Sequence, residues 1–491
     1  MTAYAPLIFT TPDGDTVTVG DPRYETGNGN GGGTPAPANT PGRLVAPSGD
    51  TTGITDTQAV QAALDAAGAQ GGGIVWADGE YWISKALVLS TGVSFRGTGW
   101  HRTVLHLTPD ANSSMILAPE GAYWYEIRDM QLDGHKEDQT GGNAGIELLS
   151  DTAPDGEMAS CGVPLIERVL VRYTHGDGIY SKAVEARHVN CFVFRAGRYG
   201  FHADRTDMWY TDCTVGESVD HGFYFSGNAS ECRMSGCKSW WSGYGAGRGE
   251  FAWKVAASTL LNEEACGYYI STGADHQQIV NCEAQDSAKH GFAVYSNRNR
   301  IDGEVSRNEG SIVALIGSDN RVRLTTGHHS PVAMGLRASP DSLVHLTNGH
   351  GNDIEVGWVD AGDTHQIEAG ITGNAPHDVS RRANRVILGT PWATTGEQAW
   401  TATIPVDPIA GGARYINAAG ATTVQNPAGD RNGAGMEFSL SIRQDSTGGH
   451  GITFGTDYKG VTPADTGASR TSVWTFRCNG PHWVQTSFYS Y

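Results

Sequence analysis

The chain has 491 residues, 39% apolar and 18% charged, so it can bury a large core and lacks the composition of a disordered protein. Its 34 Lys+Arg against 53 Asp+Glu leave a formal charge of −19, which repels phosphate backbones and argues against nucleic-acid binding. There is no apolar run of about 18 residues to span a membrane as a helix. The start, Met1-Thr-Ala-Tyr-Ala-Pro-Leu-Ile-Phe-Thr10, lacks the basic and apolar regions of a secretion signal, which suits cytosolic synthesis.

Residues 1–26 are too few to bury a core of their own and are expected to dock onto something else. Residues 27–42, rich in Gly, Pro and Ala, form a linker. Thr55-Asp-Thr-Gln58 then reads as a capping box opening a helix with apolar residues at Val60, Ala63, Leu64 and Ala67, stopped by Gly68. After Gly71-Gly-Gly73 only short β-rich runs follow.

The middle of the chain repeats. A glycine precedes an aromatic or aliphatic run at Gly178, Gly200, Gly222, Gly267 and Gly291, in steps of 22, 22, 45 and 24 residues, the 45 taken as two rungs. Nine residues upstream lie Val169, Cys191, Cys213 and Cys282, with Cys237 filling the gap. A period near 22 with strands and no intervening helix reads as a parallel β-helix, in which equivalent residues stack about 4.8 Å apart. The aligned thiols then form an inward column of small apolar side chains; their spacing matches no metal module or redox pair, and disulfides stay open as an alternative. From 43 to 390 there is room for about 14 coils at this period. The tail, 391–491, alternates with period two in Met436-Glu-Phe-Ser-Leu-Ser-Ile442 and Trp474-Thr-Phe476, which predicts a small antiparallel β-sandwich.

The stretch Thr55 to Gly97 resembles the N-terminal cap of pectate-lyase-like right-handed β-helices. The runs Asn426-Pro-Ala-Gly, Phe438 to Gly449, Ile452-Thr-Phe and Trp474-Thr-Phe are similar to small β domains that end many phage tail proteins. The whole layout resembles a bacteriophage tailspike or minor tail protein. That resemblance implies a homotrimer that binds, and often cuts, bacterial cell-surface polysaccharide. It also implies a virion protein, made in the host cytoplasm and joined to other tail or baseplate proteins through its N-terminus.

Alternation after each repeat glycine puts Ile179, Phe201, Phe223, Tyr268 and Phe292 inward. It puts Tyr180, His202, Tyr224 and Tyr269 outward, with Lys182, Asp204, Ser226, Ser271 and Tyr295 in the next outward register. An intervening coil is fitted by giving Glu250 the glycine place, with Phe251 and Trp253 inward and Lys254 outward. An aromatic ladder flanked by polar groups suits the flat faces and hydroxyl rims of sugars, although tyrosines also favour exposed strands for their own sake. Lys238 to Glu250 is a long segment carrying Trp240, Trp241, Tyr244 and Arg248, suited to walling such a groove, with a buried Trp the simpler reading for one of the pair. His221 joins the candidate contacts.

Glycoside hydrolysis needs two flanking carboxyl groups, for which Asp204, Asp220 and Glu250 are the candidates and Asp177 and Asp207 weaker ones. A polysaccharide lyase would instead use His202 or a tyrosine as base, with Lys182, Arg248 or Lys254 holding a uronate carboxylate. The acidic balance disfavours an acidic polymer in general, though a local basic patch can overrule it. A non-catalytic glycan binder is the third reading. His328-His329 are adjacent on a strand and point to opposite faces, His135 to Asp138 reads as a charged loop, and no motif calls for a metal or cofactor.

Overall fold

The computed structural model describes residues 7–10, 16–19, 43–149, 163–245, 259–306, 308–311, 313–328, 344–347, 349–357, 359–360, 369–372, 385–388, 400–406, 414–426, 437–479 and 482–491. The chain divides into two compact units, 1–41 and 42–491. In the first, Leu7–Thr10 pairs antiparallel with Thr16–Val19.

The second unit is a parallel β-helix whose coils have three faces. Leu165–Arg172 supplies the first and second faces of one coil and Asp177–Ser181 the third. The next coil repeats them as Arg187–Val189, Phe192–Phe194 and Phe201–Ala203, each paired in parallel with its predecessor. Among the described residues the third face has eleven strands, fewer than the period suggests because several coils are longer than 22 residues. The largest departure is the 45-residue step, which is one coil. Phe223 pairs directly with Tyr268, and Tyr224 with Tyr269. The rung built on Glu250 therefore does not exist. The extra residues leave the ladder at Trp241 and return by Cys266, beginning and ending in an antiparallel pair, Tyr244–Gly245 with Thr259–Leu260.

The corners explain the three-sided section. Between the first and second faces, Asp129, Arg168, Asn190, Asp212, Gly236 and Asn281 all have φ between 48° and 68°. Tyr173, Arg195, Glu217, Trp241 and Asp286 repeat this at the next corner, and Glu185, Asp207, Glu231, His276, Arg298 and Asp319 at the third. A single left-handed residue turns an extended chain sharply, and Asn, Asp and Gly adopt that conformation most readily.

Inside, Phe201, Phe223, Tyr268 and Phe292 stack with centroids 4.7–5.1 Å apart. Cys191, Cys213, Cys237 and Cys282 form a buried column on one register, as their spacing predicts. Buried amides add a second ladder. Asn299, Asn320 and Asn352 each accept the N–H of the preceding coil's residue, at 2.8–2.9 Å. The repeat glycines have a steric origin. A Cβ on Gly178 or Gly200 would collide with the inward methyls of Val193 or Val215, and on Gly222 with Ser239. The third and second faces converge there, leaving no room for a side chain. Gly200→Ala, whose Cβ would also sit 2.5 Å from the Gly222 carbonyl oxygen, should lower stability by about 1–3 kcal/mol in urea unfolding.

The helix Ile54–Ala69 covers the first coils, burying Val60, Ala63 and Leu64. The expected capping box does not form. Gly53 is the N-cap with φ 73°, and Asp50 accepts the N–H of Thr55 at 3.1 Å. Asp56 is buried instead, accepting N–H bonds from Ser48 and Trp82 at 2.7 and 3.0 Å, which ties helix to coil.

In the tail, Glu437–Gln444, Thr471–Cys478 and Trp483–Ser490 pair antiparallel, while Arg414–Ala418 and Tyr458–Lys459 add parallel edges. A second sheet, Thr403–Ile404, Thr422–Val424 and Ile452–Phe454, is wholly parallel. The chain alternates between the sheets through this part, so the helical winding continues before the antiparallel strands end it. Phe454 packs between the sheets against Trp474 and Phe476, 5.2 and 5.5 Å between centroids.

Candidate functional site

The third face brings Tyr180, His202, Tyr224 and Tyr269 into one outward column, each paired with the next. Beside it, Asp204 and Ser226 are hydrogen-bonded neighbours and Tyr295 stacks on Tyr269 at 5.0 Å. A third column, immediately before the repeat glycines, carries Asp177, Tyr199, His221, Cys266 and His290. Tyr199 stacks on Tyr224 and His221 on Tyr269, both with centroids 4.2 Å apart and planes within 10°. The two columns interleave into an aromatic platform across four coils.

His202 sits at its centre. Its Nδ1 lies 2.8 Å from Oδ2 of Asp177, a carboxylate with no solvent exposure. The same carboxylate takes two hydrogen bonds of 2.5 Å from Arg198, whose side chain is half exposed. An ionised Asp177 assigns the proton to Nδ1 and leaves Nε2 as the basic nitrogen. Tyr180 and Tyr224 flank the imidazole edge-on at 4.8 and 5.0 Å.

The carboxyl groups around it differ. Burial pushes Asp204 up, but hydrogen bonds from Ser226, Tyr180 (2.7 Å) and Asn228 (3.1 Å) outweigh it and hold the group below the usual carboxylate range. Asp220 moves the other way, raised by burial despite the N–H of His221 and the charge of Arg198. Burial also raises the phenols of Tyr180, Tyr199 and Tyr269, Tyr199 to about 12, so all three stay protonated at neutral pH. His221 is driven down to about 3 by burial and the neighbouring His290, and its Nδ1 accepts the Cys266 N–H at 3.0 Å. It is a neutral stacking and bracing group.

Other sequence candidates lie elsewhere. Trp240 faces out from the second face, 6.0 Å from Phe194, because it pairs with Gly216 three residues beyond Cys237 in the cysteine register. Trp241 and Tyr244 are buried against Ala288, and Tyr244 donates to Glu309 at 2.5 Å, so neither ring is open to a sugar. Asp207 occupies a corner. Arg248, Glu250 and Lys254 lie outside the described residues, as does the side chain of His328 and all of His329. Tyr199 and Arg198 were missed. Their signal was the register before each glycine, which repeats as faithfully as the one after it. Among the described residues one group has donor atoms converged as for a metal: His106, Asp133 and His135, on the second face.

Residues 400–483 match the family described as the putative phage tail fibre C-terminal domain. The chain thus carries a segment similar to a phage tail fibre C-terminal domain behind a parallel β-helical body, the layout of a tailspike. It is 36% identical over 188 residues to mannuronan C5-epimerase AlgE4 of Azotobacter vinelandii, a match covering 35% of this chain and 34% of that protein. The chain thus spans about a third of the length of this curated relative. Among solved structures, the A-module of the same Azotobacter vinelandii epimerase superposes with a TM-score of 0.54 at 20% identity, covering 68% of this chain and 90% of that one, a shared fold. Tailspike protein 2 of an Escherichia coli O157:H7 bacteriophage gives 0.47 at 15% identity, over 65% of this chain and 42% of its own. No described helix is long and apolar enough to cross a membrane.

Proposed function

We propose that this is a phage tail protein that binds an extended bacterial surface polysaccharide along the third face and acts on it by abstracting a proton from a uronic acid residue, in an elimination or an epimerisation. The observation that carries this is the His202–Asp177 pair set within the aromatic platform. An imidazole oriented through Nδ1 by a buried carboxylate presents Nε2 as a base, with the hydroxyl of Tyr180, bonded to Asp204, beside it. Raised phenol pKa values argue against a tyrosine as the base and favour His202. Arg198, half exposed beside the pair, supplies the local cation that an acidic polymer needs within an acidic protein. Likeness to an enzyme named for mannuronan supports a uronate substrate. Trimeric assembly and attachment to the virion through residues 1–26 complete the reading.

Hydrolysis is the second reading, favoured by the split between a raised Asp220 and a lowered Asp204, the division of roles that an acid and a base require. One assay separates the two. Purified protein is incubated in D2O with mannuronan, polygalacturonate, hyaluronan and capsule preparations. Deuterium at C5 of the uronate, or new ultraviolet absorbance from an unsaturated uronate, is expected. New reducing ends without either would replace proton abstraction by hydrolysis, and binding with no chemical change on any polymer would leave a receptor-binding rod.

A further inference from the structure

We propose that His106, Asp133 and His135 form a site for one divalent transition-metal ion of the zinc class, pinning successive coils of the second face near the capped end. His106 lies on the strand Thr103–Leu107 and pairs in register with Asp133 at the end of Glu126–Asp133. His135 follows two residues later in a left-handed conformation, φ 45° and ψ 51°, which folds its ring back over the strand. Trp82, paired with His106 from the coil before, stacks on both imidazoles with centroids 4.9 and 5.3 Å away and planes 24° apart. The two rings are thereby fixed before any ligand arrives.

One donor atom from each residue lies within 4.8 Å of the others. Nδ1 of His106 is 3.0 Å from Nε2 of His135, and that Nε2 is 3.9 Å from Oδ1 of Asp133. Two ligands at about 2.1 Å from a tetrahedral ion lie roughly 3.4 Å apart, between these two spacings. A hydrogen bond between the imidazoles accounts for the shorter distance, and Oδ1 of Asp133 also accepts the His135 backbone N–H at 3.3 Å, which holds the carboxylate beside both rings. Asp133 has a side-chain exposure of only 7%, and its Oδ2 is engaged by Arg172 at 2.8 Å, which orients Oδ1 towards the rings. On the far side of His135, the Asp138 carboxylate lies 4.0 Å from Nδ1, an ion-pair distance beyond hydrogen-bond reach. Two neutral imidazoles and one carboxylate suit zinc, cobalt or nickel better than calcium or magnesium, and three protein ligands leave a position open. The site is on a different face from His202 and stands independently of the proposed reaction.

The test uses full-length, tag-free protein stripped with chelator and titrated with Co2+, then Zn2+. One equivalent of Co2+ should bind with visible d–d absorption, be displaced by Zn2+, and raise the melting temperature. His135→Asn, which tolerates the left-handed backbone, and His106→Phe, which keeps a ring against Trp82, should each weaken Co2+ binding by at least about tenfold with far-ultraviolet circular dichroism unchanged. Absence of the visible band at several equivalents would overturn the site. So would binding that survives in both variants, which would place the ion elsewhere.

Discussion

His202→Gln should reduce turnover on the polysaccharide by about 10²–10⁴-fold while polymer binding changes little, the loss expected when a general base is removed from an otherwise intact platform. Glutamine keeps a donor for Asp177 and approximates the volume of the ring, so the buried ion pair of Asp177 with Arg198 persists. Asp177→Asn should fall in the same direction, since an amide can donate to Nδ1 as well as accept from it and no longer fixes the tautomer that leaves Nε2 basic; its kcat should drop more than its KM rises. Tyr224→Ala should do the opposite, weakening binding through loss of the stack with Tyr199 while leaving the base in place. Steady-state kinetics with a co-sedimentation assay read both quantities. Full activity in His202→Gln would sink the assignment of the base and direct attention to Asp204 and Asp220.

Acid should destabilise the fold well before its carboxylates are fully protonated. His188 is completely buried, stacked on Tyr210 at 4.6 Å, and neither ring nitrogen finds a hydrogen bond of good geometry. Burial drives its pKa from 6.5 down to about 4, with a backbone group at Trp209 offsetting this in part. His221 is driven to about 3. Each imidazole binds fewer protons folded than unfolded, so unfolding takes up protons once pH falls below 6.5. Stability is therefore fully present above that value, declines as pH drops, and levels off near pH 4 for His188 and pH 3 for His221. For His188 the loss amounts to about 3 kcal/mol. Urea midpoints measured from pH 7 to pH 4 should fall, and His188→Phe should fall less steeply because it removes one of the two titrations while matching the ring's volume. Parallel curves for the two proteins would show that His188 is not buried as a neutral ring.

The winding and the ladder were legible in the sequence because each depends on a residue type that the geometry selects every coil. Glycine recurs where two faces converge, and cysteine recurs as a small inward side chain. Identity at a fixed spacing therefore carried over directly to Tyr180, His202, Tyr224 and Tyr269. What was not legible depended on lengths that a period cannot supply. The 45-residue step equals two short coils arithmetically, but Phe223 resting on Tyr268 makes it one, which leaves no place in the ladder for a rung at Glu250. Tyr199, and the partnership of Asp177 with His202, escaped notice because strand alternation was counted only after the glycine, whereas the turn before it also directs side chains onto the platform. The His106–Asp133–His135 group was hidden because its members come from neighbouring coils whose register becomes visible only once the strands are paired.

The direct stacking of Phe223 on Tyr268 has a consequence for how such a protein can change. The third-face ladder passes directly from Phe223 to Tyr268, and the stem of the excursion is itself held to the coils, Gly243 donating to the Ser218 carbonyl and Ser242 accepting from Ala288, so the scaffold closes at the Tyr244–Gly245 and Thr259–Leu260 pair whatever number of residues joins those two strands. Segments of other sizes and compositions can be exchanged at this position while the platform beneath keeps its spacing. A tail protein built this way can meet a new surface coat by exchanging the residues between Gly245 and Thr259 while the stem that anchors them stays the same.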